Sequence, residues 1–397
     1  MINILFYYDN RCSSHSKGGT EIATSRIAAA ISKNGEFEAF NAYLHGNSKA
    51  REPIYKAEIK LRKPGNLFIR DLSSFISENK IDAIVNMGRF FRHGILQKAI
   101  KASGRDVKLL FMHHFAPGSE KKKSTYSAGL HLFKLNPINP IYWLRATVYP
   151  ILKLPRRLRW KQIYAKVAEE SDAIVVLSEG YKEGYANTAG TLRANTMDKF
   201  HAIPNIFDAD ISRNNLHKEK RVLILSRMDE IQKRISLALK IWSKIEETGE
   251  FKDWKLDIVG NGHEYKSLKK LASKLKLKNV VFHGWQNGKI FLEKSPILIS
   301  TSEYEGLSLS MIEAQSYGCV PVAFDAYASL RDLVHDGENG IIIDKFGDID
   351  TFALKLADLM RSEEAREKMG NKAINSTSKF SSDSVGEKWI EMLNSLK

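Results

Sequence analysis

Short apolar runs separated by amphipathic helical stretches recur along this chain, and that alternation limits its fold more than any other feature. Runs of strand composition fall at Ile2–Tyr7, Ala83–Asn86, Lys108–His113 and Ala173–Leu177. Helical stretches lie between them, such as Glu21–Lys33, where Ile22, Ile27 and Ala30 share one side. A second series occupies Val222–Ser226, Lys255–Val259, Val280–Phe282, Ile297–Ser300, Val320–Phe324 and Gly340–Ile343. Strands that alternate with helices are joined by crossovers, so each series predicts a parallel sheet covered on both faces. Two series in 397 residues predict an α/β chain of two doubly wound domains.

The boundary is expected near Ile203-Pro204-Asn205-Ile206-Phe207-Asp208, where a proline and polar residues follow a strand. The charged stretch Lys218-Glu219-Lys220-Arg221 then leads into the second series. The tail from Ser381 to Leu396 reads as a helix carrying Val385, Trp389, Ile390, Met392 and Leu393. The expected domains are therefore 1–205, joined by the tail helix 381–397, and 206–380. No repeat at solenoid periods is present, and Lys121 to Arg159 is the least regular stretch.

Charge is informative through its location. Of a net +15, the window Ser119–Lys166 carries +10, from eleven basic residues against the single acid Glu120. Tyr126, Phe133, Tyr142, Trp143, Tyr149, Trp160 and Tyr164 are interleaved with them. A basic, aromatic-rich segment suits an anionic membrane surface, at roughly 1 kcal/mol per cation near the headgroups. It also suits a charged soluble acceptor, a nucleic-acid backbone or a solvated insertion with no partner. No run approaches the ~18 apolar residues of a membrane span. The start reads as a buried strand and not a signal peptide, lacking a basic n-region. Two cysteines, Cys12 and Cys319, give no disulfide framework and favour a reducing cytoplasm.

Candidate site residues cluster where ligands bind in doubly wound folds, beyond the carboxyl ends of strands. The segment Ser302–Gln315 follows the strand Ile297–Ser300 and opens a helix ending near Gly318. Glu305 falls in its loop and Glu313, after seven intervening residues, on the expected first helical turn. Unsatisfied N–H groups at such a turn suit a phosphate, a loop carboxylate can accept sugar hydroxyls, and one inside the helix can hold a ribose diol. Equally, Ser310-x-x-Glu313 is a capping box, which would make Glu313 structural.

Arg227 ends a strand and Lys233 opens a helix; together they can neutralise a diphosphate leaving group, or be two surface cations. Lys17-Gly18-Gly19-Thr20-Glu21 pairs glycines that allow close ligand approach with a capping Thr20, or is an ordinary βα turn. His113 and His114 end a strand, facing the expected cleft. Gly260-Asn261-Gly262 begins a dinucleotide fingerprint, but Tyr265 replaces the third glycine and no acid follows the next strand, which argues against a dehydrogenase. Asp208-Ala209-Asp210 reads as a linker turn and not a metal site. No Walker A sequence, zinc-ligand spacing or serine nucleophile elbow is present.

Glu305-Gly306 and Glu313-Ala314, followed by Gly318-Cys319-Val320-Pro321-Val322, resemble the Glu-x7-Glu motif of retaining family-4 glycosyltransferases with the GT-B fold. The resemblance implies two Rossmann-like domains facing across a cleft, the first for acceptor, the second for donor, with the final helix crossing back. It implies that Glu305 contacts the donor sugar and Glu313 the ribose, while the backbone at Gly306, Leu307, Ser308 and Leu309 meets the diphosphate. Arg227 and Lys233 match its diphosphate-binding pair, although Ser226 stands where a glycine is common and Arg234 where a glycine usually follows the lysine. Gly18 and Gly19 match its N-terminal glycine loop, and His113, with His114 as alternative, its sugar-contacting histidine. Gly260 and the stretch around His283 are similar to its nucleotide-base region.

The implied reaction is transfer with retention from a nucleotide sugar, UDP first and GDP second, without a metal cofactor. The implied acceptor is a glycan or lipid-linked intermediate of cell-surface polysaccharide or lipopolysaccharide synthesis, met in the cytoplasm at the inner membrane face. Rival readings are a UDP-N-acetylhexosamine epimerase of the same fold and a basic nucleic-acid-binding protein. The resemblance covers most of the second domain, the first more loosely, and not 119–166.

Overall fold

The computed structural model describes residues 1–13, 15–16, 18–46, 52–122, 157–190, 194–209 and 217–396. The chain divides into two compact units, Met1–Ile206 with Ser382–Lys397, and Phe207–Ser381.

The first unit is built on a seven-stranded parallel sheet of order β3-β2-β1-β4-β5-β6-β7. Its strands are β1 (Ile2–Tyr7), β2 (Phe37–Tyr43), β3 (Ala57–Lys60), β4 (Ala83–Asn86), β5 (Lys108–His113), β6 (Ala173–Val176) and β7 (Phe200–Ala202). The apolar runs read from sequence are the strands buried on both faces, β4 and β6 throughout. β2, β3 and β7 escaped that reading because they are short or polar. Asn41 interrupts β2, yet it is fully buried, its amide donating to Glu58 Oε1 at 3.1 Å and the Cys12 carbonyl at 3.4 Å. A polar side chain inside a strand is tolerated when its hydrogen bonds are supplied.

The helix Gly19–Ser32 packs against the tail helix Ser382–Ser395, whose Val385 and Trp389 are fully buried. Gly386 permits the close approach, since a Cβ there would lie 3.2 Å from the Ala30 Cβ. The first helix starts one residue before Thr20, so Thr20 is not its cap; Gly18 holds that position with no side-chain hydrogen bond.

The second unit holds a six-stranded parallel sheet of order β10-β9-β8-β11-β12-β13. These are β8 (Arg221–Leu225), β9 (Lys255–Val259), β10 (Val280–Gly284), β11 (Ile297–Ser300), β12 (Val320–Phe324) and β13 (Ile341–Ile343). Leu239 and Trp242 from one helix and Phe352 and Leu356 from another join Ile224, Ile258 and Ile299 in one apolar cluster. Each such side chain contributes about 1.5–3 kcal/mol by leaving water. In both sheets the strand order reverses once, between β1 and β4 and between β8 and β11. Those reversals are where a doubly wound sheet opens a crevice for ligands.

Candidate active site

At the reversal of the second sheet, β8 runs into Ser226–Lys233 and β11 into Thr301–Ser308. The Lys233 ammonium lies 2.5 Å from Glu305 Oε1, the side chains only 16% and 8% exposed. Gln232 donates to Glu305 Oε2 at 3.0 Å and to the Tyr304 carbonyl at 3.2 Å, while its own oxygen accepts from Arg227 at 3.2 Å. The Glu303 N–H donates to the Gln232 carbonyl at 2.8 Å, and the Thr301 hydroxyl to the carbonyls of Lys233 and Arg234 at 2.9 and 3.0 Å. The two loops therefore hold one another, with Gln232 as the link from Arg227 to Glu305. Gln232 was missed from sequence, where one amide in a polar loop gives no signal. Arg227 also pairs with Asp229 at 3.3 Å and stays 61% exposed, its guanidinium open to solvent.

Arg234 adopts a left-handed conformation, φ 50° and ψ 39°, at the residue before helix Ile235–Glu247. A non-glycine residue in that region is strained by about 1–2 kcal/mol, which explains why glycine suits this position. The Arg234 side chain offsets the strain by pairing with Glu303, its Nε 2.8 Å from Oε2.

Helix Leu309–Ser316 begins with Ser308 at its N-cap and no side-chain cap bond. Ser310 is the second helical residue, so the alternative reading of Ser310-x-x-Glu313 as a capping box does not hold. Glu313 lies on the second turn and not the first. The uncapped N-terminus leaves first-turn donors and the positive end of the helix dipole for a ligand. Gly306, Leu309 and Ser310 are half-buried, Leu307 and Ser308 buried. Lys233, Ser226, Ser302, Ser308 and Ser310 line a recess of about 20 Å³. That volume holds about one water-sized group, so the recess itself is too small for a sugar.

Gly260 supports the Arg227 loop from below. Its φ is +138°, and a Cβ there would lie 1.9 Å from the Ser226 carbonyl oxygen. One residue further, the Met228 N–H donates to the Asn261 carbonyl at 3.0 Å, and a Cβ on Gly262 would lie 2.3 Å from the Met228 oxygen. The close backbone approach that the glycine turn permits is thus to the neighbouring loop. His283 Nε2 lies 2.7 Å from Oδ1 of the fully buried Asp257, which also accepts from Arg221 at 2.8 Å.

In the first unit, Gly18 has φ −90° and ψ 140°, a backbone any residue adopts, but a Cβ there would lie 2.0 Å from Glu21 Oε2; a Cβ on Gly19 would meet nothing within 4 Å. His113 does not face outward as expected: it is 1% exposed. Its Nε2 lies 3.2 Å from Glu120 Oε1 and 3.4 Å from the Tyr164 hydroxyl, which donates to Glu120 Oε2 at 2.6 Å. Burial pushes the Glu120 carboxyl up, but hydrogen bonds from His113 and Tyr164 outweigh it and hold the pKa below the ordinary value. Burial, with a smaller contribution from His113, lowers His114 to about 3, so it is neutral.

A second charged cluster, unread in the sequence, sits at the reversal of the first sheet. Asp9 accepts from Tyr7 at 2.9 Å, Arg89 Nε at 2.8 Å and Arg92 Nε at 3.3 Å. Among the described residues, no group of three or more His, Cys, Asp or Glu side chains could hold a metal, and no helix is long and apolar enough to cross a membrane. Of the basic window, 123–156 lies outside the described residues, as does Asp210.

Two Rossmann-like parallel sheets, the second with a buried ion pair and an uncapped helix N-terminus at its reversal, define an α/β architecture of the GT-B type. Anabaena Alr3699/HepE, solved in complex with UDP-glucose, shares this fold at TM-score 0.70 and 14% identity, covering 100% of each chain. Residues 207–376 match the family model described as glycosyl transferases group 1. It is 29% identical over 274 residues to the poly(glycerol-phosphate) alpha-glucosyltransferase of Bacillus subtilis, covering 67% of this chain and 39% of the relative. It is also 29% identical over 231 residues to the poly(ribitol-phosphate) alpha-N-acetylglucosaminyltransferase of Staphylococcus aureus, covering 57% and 45%. The match thus spans less than half the length of either relative.

Proposed function

We propose that this chain is a retaining glycosyltransferase that moves a sugar from a UDP-sugar to a glycan or lipid-linked acceptor of a cell-surface polymer. The observation that carries the reading is the Lys233–Glu305 pair, 2.5 Å apart beside the uncapped helix N-terminus of Leu309–Ser316. As the donor's C1–O bond breaks, its electron pair passes to the diphosphate. Lys233, Arg227 and the N–H groups from Gly306 to Leu309 are arranged to take up that charge. Glu305, held by Lys233 and Gln232, accepts donor-sugar hydroxyls, and Glu313 the ribose diol. The acceptor oxygen attacks C1 from the face the diphosphate leaves, and the departing phosphate oxygen takes the acceptor's proton, which retains configuration.

Gly19 fits close approach of a ligand, because a Cβ there would meet nothing within 4 Å, whereas a Cβ on the neighbouring Gly18 would crowd the Glu21 carboxylate. Gly260 shapes the Arg227 loop, and His283 fixes the strand end beside the nucleotide base. His113 positions Glu120, and His114 is the second candidate for the sugar. UDP is favoured by the UDP-glucose complex of the structural relative, and a polymer acceptor by the two named relatives. The basic stretch 119–166 supports work at the cytoplasmic face of an anionic membrane. Neutralising Arg156, Arg157 and Arg159 is expected to weaken binding to anionic vesicles; equal binding refutes that part.

Thermal shift with UDP and GDP tests the donor. A ligand at about 100 times its Kd stabilises by about 2.7 kcal/mol, so UDP is expected to raise the melting temperature and GDP to do so less. No shift with any nucleoside diphosphate sinks the reading. Conversion of UDP-N-acetylglucosamine without acceptor would instead identify an epimerase.

A further inference from the structure

The cluster at the reversal of the first sheet has the chemistry of an anion site. Two guanidiniums, Arg89 and Arg92, share one buried carboxylate, Asp9, and the Glu120 carboxylate lies on the wall of the same pocket. Both arginines remain open, at 39% and 30% exposure, while Asp9 is enclosed. Neither is loose: Arg89 lies 5.0 Å over the Tyr8 ring and is also held by Asp9, and Arg92 reaches the second Asp9 oxygen. Guanidiniums fixed in advance lose little entropy on binding and match phosphate oxygens in a fork geometry.

Beside them opens a pocket of about 400 Å³, walled by Phe91, Phe115 and Trp160. That volume falls in the range of small-molecule sites, roughly 300–1,000 Å³. Phe91 and Phe115 are exposed, and the Phe91 ring lies 5.6 Å from that of Trp160. The pocket is also lined by the Glu120 carboxylate, which accepts from the Tyr164 hydroxyl at 2.6 Å and lies 3.2 Å from His113 Nε2. Cations, an aromatic wall and one acceptor carboxylate match a molecule with a phosphate, an apolar sugar face and a hydroxyl.

We propose that this pocket binds a phosphate-bearing acceptor, a sugar or polyol phosphate, with Arg89 and Arg92 on the phosphate and Trp160 against the sugar. The inference rests on the glycosyltransferase reading above and names the acceptor's chemical class. A carboxylate sugar is the competing occupant with the same guanidinium chemistry, and the test separates the two.

Glucose 6-phosphate, glucose and glucuronate are titrated by ligand-observed NMR into the full chain with UDP at saturation, which occupies the phosphate cradle at Lys233. Glucose 6-phosphate is expected to bind at least tenfold more tightly than glucose and more tightly than glucuronate. Arg92→Gln is expected to weaken it at least tenfold. Trp160→Leu, which leaves the Asp9 cluster intact, is expected to weaken it several-fold, and carries the test should Arg92→Gln fail to fold. Equal affinity across wild type and both pocket variants, glucuronate binding as tightly, or no binding of the phosphate overturns the proposal. With the UDP-induced melting shift intact, those results leave the transferase reading standing. Arg92-dependent phosphate binding without any UDP shift overturns the transferase reading and leaves the pocket.

Discussion

The two sheets reverse strand order at equivalent places, and each reversal carries an ion pair of opposite arrangement. In the second unit the cation, Lys233, follows the first strand of its sheet and the carboxylate, Glu305, follows the fourth. In the first unit the carboxylate, Asp9, follows the first strand and the cations, Arg89 and Arg92, follow the fourth. The second site adds a helix N-terminus, so backbone donors share the anion with a lysine. The first relies on guanidiniums and an aromatic wall. A helix N-terminus plus lysine suits a leaving group whose charge grows during reaction; a rigid guanidinium pair suits a phosphate whose charge is fixed throughout.

The largest effect should break that distinction if it is wrong. Lys233→Ala is expected to lower kcat by ~10²–10³, the usual cost of one oxyanion-type donor. It also leaves Glu305 buried without its cation, a loss of about 3–5 kcal/mol in stability, read by urea unfolding. Arg92→Gln is expected to raise the KM for acceptor and spare UDP binding. Equal kcat losses in both variants would show that the two reversals do the same work.

The second site was legible in sequence because its chemistry is local. Glu305, Gly306 and Glu313 lie in one strand–loop–helix unit, and Arg227 and Lys233 in another. Its finer geometry was not legible. The helix starts at Leu309 because the chain turns at Ser308, which no capping residue marks, so Glu313 falls one turn deeper than its spacing suggests. The first site was illegible because it joins residues 80 or more positions apart, Asp9 with Arg89 and Arg92, through strand pairing. His113 misled for a related reason: two histidines at a strand's end look exposed until Tyr164, 51 residues on, closes over one of them.

A middle-sized effect separates the units by acid. His93, His114 and His201 all belong to the first unit, and burial lowers each, His93 to about 4 and His114 to about 3. The folded form therefore stays neutral while the unfolded chain takes up protons below about 6.5. Stability is full above pH 6.5 and falls as pH drops toward 4, by about 2 kcal/mol per deeply buried histidine at pH 5. Hydrogen exchange at pH 7 and pH 5 is expected to show β4 and β5 losing protection before β8 and β11. His93→Asn, whose side-chain oxygen can stand in for Nδ1 toward Asn86, is expected to flatten that dependence; unchanged relative protection would refute it.

The smallest effect sharpens the second site alone. Arg234 stands where the family pattern has glycine, and its left-handed φ of 50° shows why. Arg234→Gly removes strain of about 1–2 kcal/mol. It gives up the pair with Glu303, a partly exposed interaction of about 0–1 kcal/mol, and adds about 0.5–1 kcal/mol of unfolded-state entropy. These nearly cancel, so urea unfolding is expected to place Arg234→Gly within about 1 kcal/mol of wild type, with UDP binding unchanged. Arg234→Val keeps the strain, worsens it through β-branching and loses the pair, and is expected to unfold more readily than either. A valine variant as stable as the glycine one would mean that this loop is not held in the left-handed turn on which the approach of Lys233 to Glu305 depends.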